Sequence, residues 1–414
     1  MANQAESGNL KSKVQIMIPI LLFVVFQAAF QAFSPVLAQM KVVFPGASTT
    51  LIQMIITIPS LMSIPVALLS GFCATYFTKK RIVQFALSVM FIGGMVPLLI
   101  HADIEAVLAS SALIGIGQGF LISISTALIS EYFDGNERGT TLGFKQVASN
   151  LGIAALTIAI GYLATSAWYN AYYVYILVIP ILILVSIFLP NGKLDDKIIG
   201  KGVGTQGIKN VFTPAGIYMF LLMFFMGATL FTFYTNIAMM ITEKGLGDAS
   251  IVGRVSSVNS IITLIVGFVF GFLLKLFKKY TLTTALLILS VAFFTLSFST
   301  SLSVITLACA LIGLGAGIQQ ISSVYYLTES VPKTAITMAI SIAMALISVG
   351  VTASPIMVNT IKRVAFNSET ASASLLVAGS AYAIMFIVEI IREMTFNKNS
   401  TIGIPLSQDT TKNA

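Results

Sequence analysis

Tyr173 to Leu189 reads YVYILVIPILILVSIFL, a run without a single charge. As a helix it is about 25 Å long, close to the roughly 30 Å hydrocarbon core of a bilayer. A strand of a membrane barrel would alternate apolar and polar residues instead. The rest of the chain is of the same kind. Of its 414 residues 57% are apolar and 9% charged, against about 25% charged in an average soluble domain. The mean hydropathy is +0.95. Too few charges remain to cover a water-facing surface, which excludes a soluble globular enzyme, and a disordered chain would be polar. A crossing helix with its loop takes roughly 30 to 35 residues, so this length holds about twelve. The polar start, Met1 to Lys13, leads into an apolar run reaching about Met40. That run exceeds the ~7–15 apolar residues of a secretory signal and reads as the first crossing.

Polar punctuation places the crossings at 14–40, 49–77, 82–100, 106–130, 140–165, 171–190, 213–241, 249–277, 281–299, 303–328, 334–360 and 373–396. The longest polar stretch between crossings is Asn191 to Asn210, NGKLDDKIIGKGVGTQGIKN, and it separates six from six. With the N-terminus inside, 17 of the 23 basic residues fall in inner segments and 4 in outer loops; Lys145 and Arg254 fall within crossings. Basic residues concentrate on the cytoplasmic side, so both termini are expected there, in the plasma (inner) membrane. The net charge of +8 is then a topology signal, and no nucleic-acid partner is expected.

The two halves resemble each other. Ile114–Gly119 reads IGIGQG and Ile312–Gly317 reads IGLGAG, an offset of 198 that Glu131/Glu329 and Gly152/Gly350 keep. The fold expected is an all-α integral membrane protein with twelve transmembrane helices in two pseudo-symmetric six-helix bundles. Residues 1–190 form the first bundle, 191–210 a cytoplasmic linker, 211–397 the second bundle and 398–414 a cytoplasmic tail. Duplicated halves of this kind hold a substrate site near the membrane midplane.

These features resemble the major facilitator superfamily over nearly the whole chain. In that family the loop after the second crossing reads G-x-x-x-D-R/K-x-G-R/K-R/K. Gly71, Lys79 and Lys80 match it here, while Thr75 stands at the acidic position and Thr78 at the second glycine. Glu137, Arg138 and Gly139 match the family's Glu-Arg-Gly loop. The arginine often found in the fourth crossing is Gly115, and the fifth crossing lacks the Gly-Pro motif of the family's drug antiporters. The resemblance implies transport, with crossings 1, 4, 7 and 10 lining a central cavity.

Polar residues inside a membrane usually face the interior. Gln27, Gln31 and Ser34 are spaced for one helix face. Thr229, Thr232 and Asn236 form a second set, Lys145, Ser149 and Gly152 a third, and Gln319, Ser323 and Tyr326 a fourth. Lys145 and Arg254 are the sharpest signals, because a charge centred in hydrocarbon costs about 2.5–3.5 kcal/mol. They are either cationic contacts for an anion or snorkelling residues that reach the two interfaces. Expected substrate contacts are Gln27, Gln31, Lys145, Asn236, Arg254, Gln319 and Tyr326. Expected gating charges are Glu131, Arg138, Glu329 and Lys333, at matching ends of the fourth, fifth, tenth and eleventh crossings.

The leading functional reading is a secondary or facilitative transporter working by alternating access on a small organic anion, a carboxylate first. A lipophilic drug or metabolite exporter of the same fold is the alternative, favoured by Phe- and Met-rich stretches such as Phe220–Phe233. A membrane enzyme would need a His/Asp/Glu cluster or a Gly-Lys-Ser/Thr phosphate loop, and the sequence has neither. Cys73 and Cys309 read as small buried hydrophobes, and His101 as a loop residue near Asp103. No metal or cofactor is expected. The expected partners are an anionic small molecule and the lipid bilayer, with protons as candidate coupling ions and a monomeric state.

Overall fold

The computed structural model describes residues 2–192, 194, 212–332 and 336–396, with side chains from Lys13 onward except those of 135, 136, 337, 395 and 396. Most of the expected linker 191–210, the tail 398–414 and Lys333 lie outside the described residues. The described residues are predominantly helical, with no strand among them. The first half runs α1 (Ala2–Val24), a 3-10 segment (Val25–Val36), α2 (Leu37–Val43), α3 (Thr49–Ala74), α4 (Lys79–Leu99), α5 (Ile104–Tyr132), α6 (Gly135–Leu163), a second 3-10 segment (Trp168–Leu177) and α7 (Val178–Phe188). The second half runs α8 (Pro214–Glu243), α9 (Ala249–Phe277), a 3-10 turn (Lys278–Tyr280), α10 (Thr281–Phe298), α11 (Leu302–Ser330), α12 (Ile336–Phe366) and α13 (Ala371–Phe396).

Local chemistry sets the ends. The Ser48 side chain caps α3 by accepting from the Leu51 amide at 3.2 Å, and Asp103 caps α5 through the Glu105 amide at 2.9 Å. These satisfy amides that the first helical turn leaves open. Gly245, at φ +64, closes α8. The Leu246 amide reaches back to the Ile241 carbonyl at 3.0 Å, a left-handed termination that glycine adopts without a Cβ penalty.

Among the described residues, 11 helical stretches are long and apolar enough to cross a membrane. One of them, Ala249–Phe298, has 50 residues, about 75 Å as a single helix. It is broken at the Lys278–Tyr280 turn, where Lys278 has φ +48. Large apolar side chains lie on the outer surface, among them Leu68, Leu99, Phe268 and Val364. A water-soluble monomer rarely carries that much exposed apolar area.

The chain divides into two compact units. The first comprises residues 1–198 together with 234–261, and the second 199–233 together with 262–414. Glycines let helices inside each unit approach closely. In the first unit a Cβ on Gly117 would strike Met90 and the Ala86 carbonyl, and one on Gly152 would lie 2.7 Å from Val25. In the second unit Gly315 faces Leu289 and Ala285, and Gly350 faces the Phe224 carbonyl. Each second-unit residue follows its first-unit counterpart by 198 or 199 positions. The internal repeat is therefore a repeat of packing contacts as well as of letters.

The first unit also binds the segment 234–261 through neutral groups. Gln53 Nε2 donates to Asn236 Oδ1 at 3.0 Å and to the Thr235 carbonyl at 3.3 Å. Ser34 Oγ donates to the Tyr234 carbonyl at 2.6 Å. A Cβ on Gly161 would lie 2.6 Å from the Ala249 carbonyl and 3.0 Å from the Gly253 Cα. Gly161→Leu is therefore expected to separate α6 from α9. A Cys pair replacing Gln53 and Asn236 in that variant should cross-link more slowly than in a background with Gly161 intact.

Candidate functional site

The clearest polar constellation lies in the first unit, where α5, α6 and the first 3-10 segment meet. Ser125 and Thr126 are consecutive hydroxyls on α5. Lys145, on α6, points its Nζ at Thr126 Oγ1 at 2.7 Å and at the Ile122 carbonyl at 3.5 Å. Ser125 Oγ donates to Gln27 Oε1 at 3.4 Å. Gln27 and Lys145 thus converge on one patch of α5. Two turns along α6 from Lys145, Gly152 lets Val25 approach, which sets the first helix close enough for Gln27 to reach Ser125. The acceptors Thr126 and Ile122 lie about 9 and 15 Å from the Tyr132 end of α5. Lys145 itself lies about 15 Å from the Gly135 start of α6, so the ammonium meets α5 inside the bundle, level with its own backbone or slightly nearer that end. Its partners are a hydroxyl and a carbonyl, with no carboxylate.

Within the second unit the equivalent positions keep one hydroxyl but no charge. Ser323, at the offset of Ser125, lies 3.9 Å from the Met226 sulfur, and Ala343 stands at the position of Lys145. The charge belongs to one half only. The second unit has its own neutral polar cluster. Tyr382 OH donates to Gln319 Oε1 at 3.3 Å, and Thr232 Oγ1 lies 3.3 Å from Ser354 Oγ. Gln319 is fully buried and its Nε2 has no partner.

The other expected contacts are placed differently. The even face expected of Gln27, Gln31 and Ser34 is interrupted, because Ala28 leaves helical geometry (φ −126, ψ 21) inside a 3-10 segment. Gln27 and Gln31 stay half-buried, while Ser34 is fully buried and turned to Tyr234. Asn236 is buried and engaged with Gln53. Tyr326 bonds the Lys278 carbonyl at 3.3 Å, at the α9–α10 turn. Arg254 is exposed and shares its helix face with Ile261, Ile265 and Phe268, which are exposed too. That apolar stripe near the start of α9 suits a snorkelling cation.

Of the expected gating charges, Glu131 Oε2 pairs with Lys79 Nζ at 3.0 Å inside the first unit. Arg138 and Glu329 are exposed, and Lys333 lies outside the described residues. Lys79 is almost fully buried, so removing its counterion leaves a costly charge. Glu131→Gln is expected to lower stability by about 1–3 kcal/mol, and Glu329→Gln to change it little. Thermal unfolding midpoints in detergent check both.

Two features went unnoticed in the sequence. Ser125 and Thr126 look like ordinary helix hydroxyls until their partners are known. Gln118, inside the IGIGQG motif, is buried with an unpartnered Oε1; an amide in an apolar run was the available signal. Separately, Glu389 is buried in α13 and held by Arg392 at 2.6 Å and by the Tyr218 hydroxyl. Among the described residues no three His, Cys, Asp or Glu side chains group as metal ligands.

A profile described as Major Facilitator Superfamily matches residues 20–355. The chain belongs to that family, and it is a multi-pass membrane protein with the fold of the family's transporters. A comparison with curated proteins finds no match. Solved structures with this fold include a bacterial homologue of the human lysosomal transporter Spinster, inward-facing and unoccupied, with TM-score 0.74 at 14% identity over 94% of this chain and 98% of that one. The nucleoside transporter NupG gives TM-score 0.74 at 13% identity, covering 94% and 99%. The human organic anion transporter MFSD10 (TETRAN) gives 0.61 at 15% identity, covering 91% and 99%. At these identities the likeness is one of fold.

Proposed function

We propose that this protein is a secondary or facilitative transporter that carries a small organic anion, a carboxylate, across the plasma membrane by alternating access. One observation carries the anion: Lys145 is a half-buried cation whose hydrogen-bond partners, Thr126 Oγ1 and the Ile122 carbonyl, are neutral. A low-dielectric surrounding strengthens its field, and an anion is its simplest partner. Gln27, Ser125 and Thr126 orient the ligand's polar atoms. Gln31, Asn236, Gln319 and Tyr326 stay in the proposal as secondary contacts. Arg254 is expected to matter less, so Arg254→Gln should leave uptake within about twofold of wild type, as a snorkelling residue would.

In this reading Ala249–Phe298 makes two crossings, which brings the total to twelve. Residues 1–190 and 211–397 are the two bundles. Both termini face the cytoplasm, as the bias of basic residues supports, and the protein works as a monomer. Glu131, Arg138, Glu329 and Lys333 are proposed to shape the cytoplasmic mouth. Neutralising Glu131 and Glu329 together should change how fast cytoplasmic reagents label cavity cysteines.

A ligand-stabilisation screen tests the substrate class. A bound ligand raises apparent stability by mass action. Carboxylates should raise the unfolding midpoint, while sugars, nucleosides and lipophilic cations should not. Stabilisation by lipophilic cations alone would replace this reading with the exporter.

A further inference from the structure

We propose that Lys145 is also the proton site of transport, holding the anion as an ammonium and giving up its proton when the anion leaves. This rests on the anion reading of the same site.

Three observations point there. First, Lys145 Nζ is held by Thr126 Oγ1 and the Ile122 carbonyl. Both accept a hydrogen bond from an ammonium, and the hydroxyl can donate to a neutral amine. No fixed counterion pins the charged form. Second, the acids of the described crossings lie at helix ends or are committed. Glu105 opens α5 and Glu131, near its other end, pairs with Lys79. Glu243 ends α8, and Glu389 and Glu393 are both held by Arg392. Third, among the described side chains, the elements packed against α6 bring no charge to Lys145. On α1, Lys13 is bound to Glu137 of α6 at 2.6 Å. The 3-10 segment Val25–Val36 has no titratable side chain. The titratable groups of α5 are Glu105, Glu131 and Tyr132, and those of the Trp168–Leu177 segment are Tyr169, Tyr172, Tyr173 and Tyr175. On α9, which meets α6 at Gly161, the charge is Arg254, with Asp248 just before the helix. Arg138 on α6 itself is exposed. None of these groups bonds Lys145.

The step balances without another reactant. On one side the amine takes a proton from water and the ammonium binds the anion. The loaded site carries one proton per anion, so a monoanion crosses as a neutral pair. On the other side the anion leaves, the proton returns to water, and the neutral amine goes back with the empty carrier. Lysine suits this role because its protonation responds readily to its surroundings, whereas a guanidinium stays charged.

The test uses the full chain in proteoliposomes, with the membrane potential clamped at zero. Radiolabelled lactate, succinate and citrate are supplied singly under a gradient of about one pH unit, acid outside. One-to-one coupling drives wild-type accumulation towards about tenfold. Lys145→Arg keeps the charge but not the exchangeable proton, so whatever anion exchange it retains is expected to show an accumulation ratio near one under the same gradient. A Lys145→Arg variant that accumulates like wild type overturns the proton role. So does a wild type that exchanges carboxylate but ignores the pH gradient, and in that case the anion reading survives. A wild type that neither exchanges nor is stabilised by any carboxylate removes the anion reading itself. Should Lys145→Arg fail to exchange, Thr126→Val decides. Loss of that hydroxyl moves the pH of half-maximal wild-type uptake if Lys145 is the proton site, and an unmoved profile overturns the proposal.

Discussion

Lys145→Gln is expected to weaken carboxylate binding by about ten- to 150-fold, the factor that corresponds to a charged hydrogen bond of roughly 1.5–3 kcal/mol. The variant should fold normally. Glutamine still reaches towards Thr126 and removes a charge that has no counterion, so nothing buried is left unpaired by the change. Binding isotherms and thermal midpoints measured together separate the two effects. A binding loss with an unchanged midpoint is the expected pair. An unchanged affinity would mean that the anion sits elsewhere.

Gly350→Leu should have the largest effect on stability. A Cβ at that position meets the Phe224 carbonyl and, at 3.0 Å, the Ala228 amide nitrogen. Both are backbone atoms of α8 and cannot swing aside. On the same crossing, Gly227 faces the Ile347 carbonyl of α12. Overpacking typically costs about 1–3 kcal/mol, and a branched side chain against backbone on a shared helix crossing should exceed that. The expected outcome is loss of monodisperse protein after detergent extraction. Gly71→Ala is the control, because nothing lies within 4 Å of its added Cβ, and it should purify like wild type.

Most crossings could be read directly from the amino acids. Segments 106–130, 303–328 and 373–396 correspond to Ile104–Tyr132, Leu302–Ser330 and Ala371–Phe396. Apolar runs that long have one stable form in a bilayer, the helix, because its backbone bonds are satisfied internally. The repeat was legible for a related reason. Gly117 and Gly315 occupy equivalent close crossings, and only a residue without a side chain fits there. Two things were not legible. The first crossing breaks at Ala28 within a 3-10 segment, so a face counted at 3.6 residues per turn misplaced Ser34 relative to Gln27. The partners of a lysine also depend on which helix lies beside it. Lys145 and Arg254 looked alike as isolated charges in apolar runs. They separate only once α5 is seen beside Lys145 and an apolar stripe is seen along the face of Arg254.

Counterflow in proteoliposomes addresses the central claim most directly. Vesicles containing wild-type protein are loaded with unlabelled carboxylate, sugar, nucleoside or lipophilic cation and diluted into trace labelled ligand of the same class. The account predicts transient accumulation of carboxylate alone, abolished by Lys145→Gln and retained by Arg254→Gln. Counterflow of a neutral or cationic solute that is indifferent to Lys145→Gln would contradict it.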